Sequence, residues 1–299
     1  MLRLRVGIGA TAGTVIASRR IERGGYVRLE AGTASHTGRI RTSNQDSVGL
    51  VDGLYVVADG MGGHRGGEVA SAEAVAAMLA VFDRRDRAGL VAAVRSANRT
   101  ILEKTVTRPD LSGMGTTLCA LAVVGSASGD EVFAVANIGD SRVYRFAAGE
   151  LVQVSDDHSL VADLMRAGEL SAEEAAQHPQ RNILTRALGI EADPVIDSWE
   201  LEPVLGDRYL LCSDGLFNEL DDGRLAEVLA AGTVQESADL LVDEAVSAGV
   251  KRFVNISSSS VYGVREEQDV TEDLELLPLT IYSRCKCDVE EYVRETSKA

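Results

Sequence analysis

Two apolar, β-rich runs, residues 116–124 and Glu131–Ile138, flank the string Ser126-Ala127-Ser128-Gly129-Asp130. Strand-like runs on either side of a stretch of small, turn-forming residues predict a hairpin over residues 116–138. Runs of the same kind at 54–58, 142–146 and 208–213 supply further strands. Helical patterns lie between them: residues 69–82 are alanine-rich and uninterrupted, and Val91, Val94, Ala97 and Ile101 recur at helical spacing. Ser171 with Glu174, and Thr233 with Glu236, match capping boxes that open two more helices. Long strand runs with the helices set apart indicate an α+β layered domain, not an alternating parallel sheet. Glycine is plentiful at 29 and proline scarce at 5, which suits many tight turns.

A chain of 299 residues with net charge −16 allows one sizeable domain plus an appendage. That acidity argues against a nucleic-acid partner and against an anionic membrane surface, since both would repel it. It suits a protein that concentrates cations and basic peptide segments. The richest apolar run, residues 118–124, is far too short to cross a bilayer, and the first residues carry no long apolar segment of a secretory leader. Four scattered cysteines, Cys119, Cys212, Cys285 and Cys287, make no disulfide framework, and a reducing cytoplasm is expected.

Four short strings place an aspartate at a strand terminus: Arg41-Thr42-Ser43-Asn44-Gln45-Asp46, Val57-Ala58-Asp59-Gly60-Met61-Gly62-Gly63-His64, Asn137-Ile138-Gly139-Asp140-Ser141-Arg142, and Cys212-Ser213-Asp214-Gly215. Singly, each reads as a solvated turn. Together they supply several carboxylates, with glycines that let backbone carbonyls approach as further oxygen ligands. Oxygen-only donors without a Cys/His cluster favour magnesium or manganese over zinc.

In order along the chain, these strings, with Gly115-Thr116-Thr117, Asp157-His158-Ser159 and residues 181–189, resemble the bacterial form of the metal-dependent protein phosphatases of type 2C. The resemblance covers residues 29–249. It implies two packed antiparallel sheets flanked by helices, an α-β-β-α sandwich with its site at one end. It further implies that Asp46, Asp59, the Gly60 carbonyl and Asp214 surround two Mn²⁺ or Mg²⁺ ions. Asp140 would join Asp214 at a third, weaker position, and Arg41 would hold the substrate phosphate. The activity implied is hydrolysis of phosphoserine and phosphothreonine on protein substrates, with Arg41, Asp59 and Asp214 as the catalytic residues, by a monomeric cytoplasmic signalling enzyme that opposes a Ser/Thr kinase. Arginine suits its task, because its planar fork grips two phosphate oxygens at once. His64 and His158 are the histidines placed to protonate the leaving alkoxide, and a hydrogen-bonding role serves either equally well.

After Gly249 the resemblance stops short. The family's Gly-rich turn and Asp-Asn pair, whose aspartate ligates the ion pair, do not arrive. In their place stands Val250-Lys251-Arg252-Phe253-Val254-Asn255-Ile256-Ser257-Ser258-Ser259-Ser260-Val261-Tyr262-Gly263, similar to the extended short-chain dehydrogenase/epimerase family. That likeness implies a Ser258, Tyr282, Lys286 triad in a strand-helix appendage over residues 250–299. The cofactor-binding front half is missing, because the glycines at 7, 9 and 13 are spaced one residue too long for a dinucleotide fingerprint. Two joined coding sequences account for this pattern. Residues 1–28 read as an irregular extension. Two other function classes remain beside the phosphatase: a pseudophosphatase that binds phosphoproteins, and an NAD-dependent epimerase fragment.

Overall fold

The computed structural model describes residues 14–21, 27–38, 43–62, 66–83, 86–128 and 130–248. The chain divides into two units at Gly249, and all described residues lie in the first. Arg41, His64, Ser258, Tyr282, Cys285, Lys286, Cys287, the glycines at 7, 9 and 13, and the whole of the 250–299 appendage fall outside them.

In chain order the elements are β1 (Thr14–Ile21), β2 (Val27–Ala34), β3 (Asp46–Val51), β4 (Leu54–Met61), α1 (Gly66–Val81), α2 (Arg87–Thr107), β5 (Gly115–Thr116), β6 (Leu118–Gly125), β7 (Glu131–Ile138), β8 (Arg142–Ala147), β9 (Glu150–Gln153), α3 (Leu160–Arg166), α4 (Ala172–Gln177), β10 (Asp197–Leu201), β11 (Arg208–Cys212), α5 (Asp214–Phe217), α6 (Asp222–Leu229) and α7 (Val234–Ala248). One sheet runs β2-β1-β11-β8-β9 and the other β10-β7-β6-β4-β3, with every pairing antiparallel. The expected hairpin is β6–β7, registered from Leu118 opposite Ile138 to Gly125 opposite Glu131. Both capping boxes form: Ser171 and Glu174 open α4, and Thr233 and Glu236 exchange bonds ahead of α7.

Alternation along the strands sorts the side chains into three cores, which is what makes the fold four layers deep. Leu54, Val56 and Ala58 on β4, with Leu118, Ala120 and Ala122 on β6, face α1 and α2. Ile16, Leu210 and Cys212 face α5, α6 and α7 across the other sheet. The residues of opposite parity meet between the sheets: Val15 and Ala17, Tyr55 and Val57, Cys119 and Leu121, Val143, Tyr209 and Leu211. Phe133 and Tyr209 join there edge to face, ring centroids 5.1 Å apart.

One boundary differs from the sequence reading. β1 lies within the stretch read as an irregular extension before residue 29, yet it is an interior strand bonded to both β2 and β11. Val15, Ile16 and Ala17 are fully buried. This apolar stretch is too short, between glycines and arginines, to stand out by pattern, and only its pairing partners make it a core strand.

Candidate active site

The site follows from the same alternation. On β4 the inward row Tyr55, Val57 is continued by Asp59, and on β3 the row Leu50, Val48 is continued by Asp46. Asp46 and Asp59 are direct cross-strand partners. On β6 the row ends at Thr117, on β8 it begins at Ser141, and beyond β11 it reaches Ser213. The inter-sheet core therefore changes from apolar to polar at one end of the sandwich, on five chain segments at once.

These polar residues hold one another. The Ser213 hydroxyl donates to Asp46 Oδ2 across the gap between the sheets at 2.6 Å. Thr117 Oγ1 accepts the Asp59 N–H at 3.0 Å and lies 2.7 Å from Ser141 Oγ. The Asp59 carbonyl accepts from the Thr117 N–H at 2.9 Å and from the Thr116 hydroxyl at 2.8 Å. Gly60 comes next and must be glycine, because a Cβ there would stand 2.0 Å from the Gly67 carbonyl oxygen at the start of α1. Gly139 turns the chain into Asp140 with φ of +100°, and a Cβ there would meet Thr117 at 2.6 Å.

Asp46 is buried, while Asp59, Asp140 and Asp214 are partly buried. Burial, then the charges of Asp46 and Asp214, push the Asp59 carboxyl well above the usual carboxylate range. Burial, then Asp214 and Asp157, push Asp140 up to about 7. Anionic groups crowded in this way call for a cation. Among the described residues, no three His, Cys, Asp or Glu side chains converge on one point, so the carboxylates do not close a cage around a single ion. Three of them, Asp59, Asp140 and Asp214, line one cavity, and Asp46 is the cross-strand partner of Asp59. Oxygen donors spread in that way fit hard divalent ions that complete their shells with a backbone carbonyl and water.

The cavity is about 600 Å³, and Asp59, Gly60, Asp140 and Asp214 are among the residues that line it. The segment 182–195 supplies a further part of its wall, which includes Arg186, Ile190 and Val195. Asn98, buried on α2, pins this wall: its amide donates to the Glu191 carbonyl at 2.8 Å and its oxygen accepts the Gly189 N–H at 2.7 Å. The Thr116 and Leu188 backbones add a bridge.

The structure thus brings Asp46, Asp59, Gly60, Asp140 and Asp214 to one end of the sheets. His158, one of two histidines considered as proton donors, is placed elsewhere. It is buried, its Nδ1 accepts the Gly139 N–H at 3.1 Å, and its Nε2 faces Asp197 Oδ2 at 2.9 Å. A nitrogen that accepts an N–H carries no proton, so the ring is the Nε2–H tautomer, and burial first of all holds its pKa below the usual value. Thr117, Ser141, Ser213, Asn98 and Asp197 are site residues that the sequence reading did not single out. For the first three, period-two alternation from the inward core rows was the available signal.

Residues 35–254 match the family described as protein phosphatase 2C. A second match, to the NAD dependent epimerase/dehydratase family, covers residues 229–299. The serine/threonine protein phosphatase PstP of Mycobacterium tuberculosis is 41% identical over 226 residues, spanning 74% of this chain and 43% of that protein. The serine/threonine phosphatase stp of Listeria monocytogenes is 38% identical over 228 residues, spanning 71% of this chain and 88% of its own. A crystal structure of the PstP catalytic domain in complex with two manganese ions superposes with a TM-score of 0.63 at 36% identity, covering 81% of this chain and 95% of that one. The chain belongs to the protein phosphatase 2C family. It spans less than half the length of the mycobacterial relative.

Proposed function

We propose that this chain is a metal-dependent phosphatase that hydrolyses phosphoserine and phosphothreonine in protein substrates. The observation that carries the reading is the cross-strand pair Asp46 and Asp59, with Asp140 and Asp214 beside the same open cavity. Asp46, Asp59, the Gly60 carbonyl and Asp214 would hold two manganese or magnesium ions, and Asp140 with Asp214 a third. Bound ions there supply a water of lowered pKa and neutralise charge building on the phosphoryl oxygens. Ser213 and Thr117 fix the carboxylates through Asp46 Oδ2 and the Asp59 main chain, so little reorganisation accompanies ion binding. Arg41 is the residue proposed to grip the phosphate, and the wall at 182–195 to orient the peptide. Opposition to a Ser/Thr kinase and a cytoplasmic, monomeric state complete the proposal. Among the described residues, no helix is long and apolar enough to cross a membrane. Manganese-dependent hydrolysis of a phosphothreonine peptide, lost in Asp59→Asn, is the expected result, and metal-independent turnover overturns the reading.

One observation favours a second reading, a feeble or inactive phosphoprotein-binding module. After Gly249 the sequence offers no aspartate until Asp269, where the family resemblance requires an Asp-Asn pair. Loss of one carboxylate from a two-ion site weakens the ion it anchors and lowers the rate severely. We propose for the same reason that residues 250–299 are a grafted epimerase-like fragment and residues 29–249, with β1 added, the phosphatase domain. Calorimetric titration with manganese separates the readings: two sites of comparable strength favour the enzyme, one strong site the binder.

A further inference from the structure

The residue before Asp140 has both of its main-chain polar groups bonded to a single residue, His158. Gly139 N–H donates to His158 Nδ1 at 3.1 Å, and the Gly139 carbonyl accepts the His158 N–H at 3.0 Å. The far side of the same imidazole leads to the cavity wall. Nε2–H donates to Asp197 Oδ2 at 2.9 Å, and Arg186, a wall residue, donates to Asp197 Oδ1 at 3.1 Å. The His158 carbonyl accepts the Thr185 N–H at 2.9 Å, a second tie to the wall. Gly139 cannot yield toward the other side, where Thr117 already fills the space that a Cβ would need.

We infer that His158 is a positioning residue that fixes the turn carrying Asp140 and links it, through Asp197, to the Arg186 side of the cavity. The inference rests on the reading of Asp140 as an ion ligand. An imidazole fits because it accepts at one nitrogen and donates at the other about 2 Å apart in a rigid plane. The link reaches the cation only through Gly139, so His158 itself touches neither ion nor substrate. Outer partners of this kind set metal affinity by about 10- to 100-fold.

The test is calorimetric titration of the full chain with MnCl₂, after removal of bound metal with EDTA. It compares His158→Leu, His158→Asn, Asp197→Ala and Asp140→Asn with the parent, and records each metal-free melting temperature. Asp140→Asn should abolish the weakest class of manganese binding. His158→Leu should weaken that class about 10-fold, with Asp197→Ala following in the same direction and the tighter binding unchanged. His158→Asn, whose Oδ1 falls where Nδ1 lies, should recover most of the loss. If His158→Leu does not fold, Asp197→Ala decides the outcome. A lower melting temperature with parental manganese affinity in His158→Leu and Asp197→Ala, while Asp140→Asn loses a class, overturns the link alone. Parental binding in Asp140→Asn overturns the ion assignment, and the link with it.

Discussion

Replacing a proposed ion ligand should make the metal-free protein more stable. The Asp140 carboxyl is raised from 3.8 to about 7 by burial and by the Asp214 and Asp157 charges. Below the unfolded value both states are protonated and there is no penalty. As pH rises from about 4 to 7 the unfolded chain gives up its proton first, and above 7 the folded protein carries the whole cost. At 1.36 kcal/mol for each pKa unit, that cost is about 4 kcal/mol at pH 8. Asn at 140 keeps the shape and removes the charge, but still buries a polar amide, so a net gain of about 2 kcal/mol is expected. In a domain of this size that corresponds to about 4–8 °C in melting temperature. The assay is thermal unfolding of parent and Asp140→Asn in EDTA at pH 8 and pH 5. At pH 5 the electrostatic cost falls to about a third, since only the span from 3.8 to 5 then contributes, and the pH-independent cost of the amide offsets it, so parent and variant should melt within about 1 °C of each other. Excess manganese at pH 8 should reverse the order, because the parent gains binding energy that the variant lacks. A variant that melts at or below the parent in EDTA at pH 8, or a difference independent of pH, refutes the electrostatic reasoning.

Gly60→Ala should destabilise by about 3 kcal/mol or more, because its Cβ meets main chain and not a yielding side chain; urea unfolding measures it, and a change below 1 kcal/mol contradicts the close packing. Thr117→Val removes the acceptor for the Asp59 N–H and the contact with Ser141, so about 1–2 kcal/mol of stability should go, together with some manganese affinity. Phe133→Ala in the inter-sheet core should cost about 3–5 kcal/mol while leaving manganese affinity unchanged in the folded fraction. EDTA should stop turnover and added manganese restore it, and a rate indifferent to both removes the metal from the mechanism.

The parts legible from sequence are those whose signal is local. The β6–β7 hairpin carries its own turn, α1 its uninterrupted alanine-rich run, α2 its own periodicity, and α4 and α7 their own caps. Asp46, Asp59, Asp140 and Asp214 stand out because acids sit beside apolar runs and glycines in four similar strings. β1 was not legible, since its place depends on pairing with β11, almost 200 residues away. Nor were the bonds from Ser213 to Asp46, His158 to Asp197 and Asn98 to Gly189, which join residues distant in sequence. A hydrogen bond across two sheets leaves no period in either strand. Parity supplies half of it, by naming the face, and the fold alone supplies the partner.

The acids and the 182–195 wall of the cavity belong to different mechanical regimes. Asp46 and Asp59 ride on β3 and β4, whose ladder is part of the sandwich interior. The wall from 182 to 195 contains no strand of the sheets and is fastened by Asn98, the Thr116 bridge and the Thr185 backbone. Amide protons of β4, bonded to β3 on one side and β6 on the other, should therefore exchange with solvent only when the whole domain opens, and those of the wall through local openings of far lower free energy. One end of the cavity is then as hard to reshape as the protein is to unfold. The other can change in sequence, and so in the peptides it admits, without disturbing the acids.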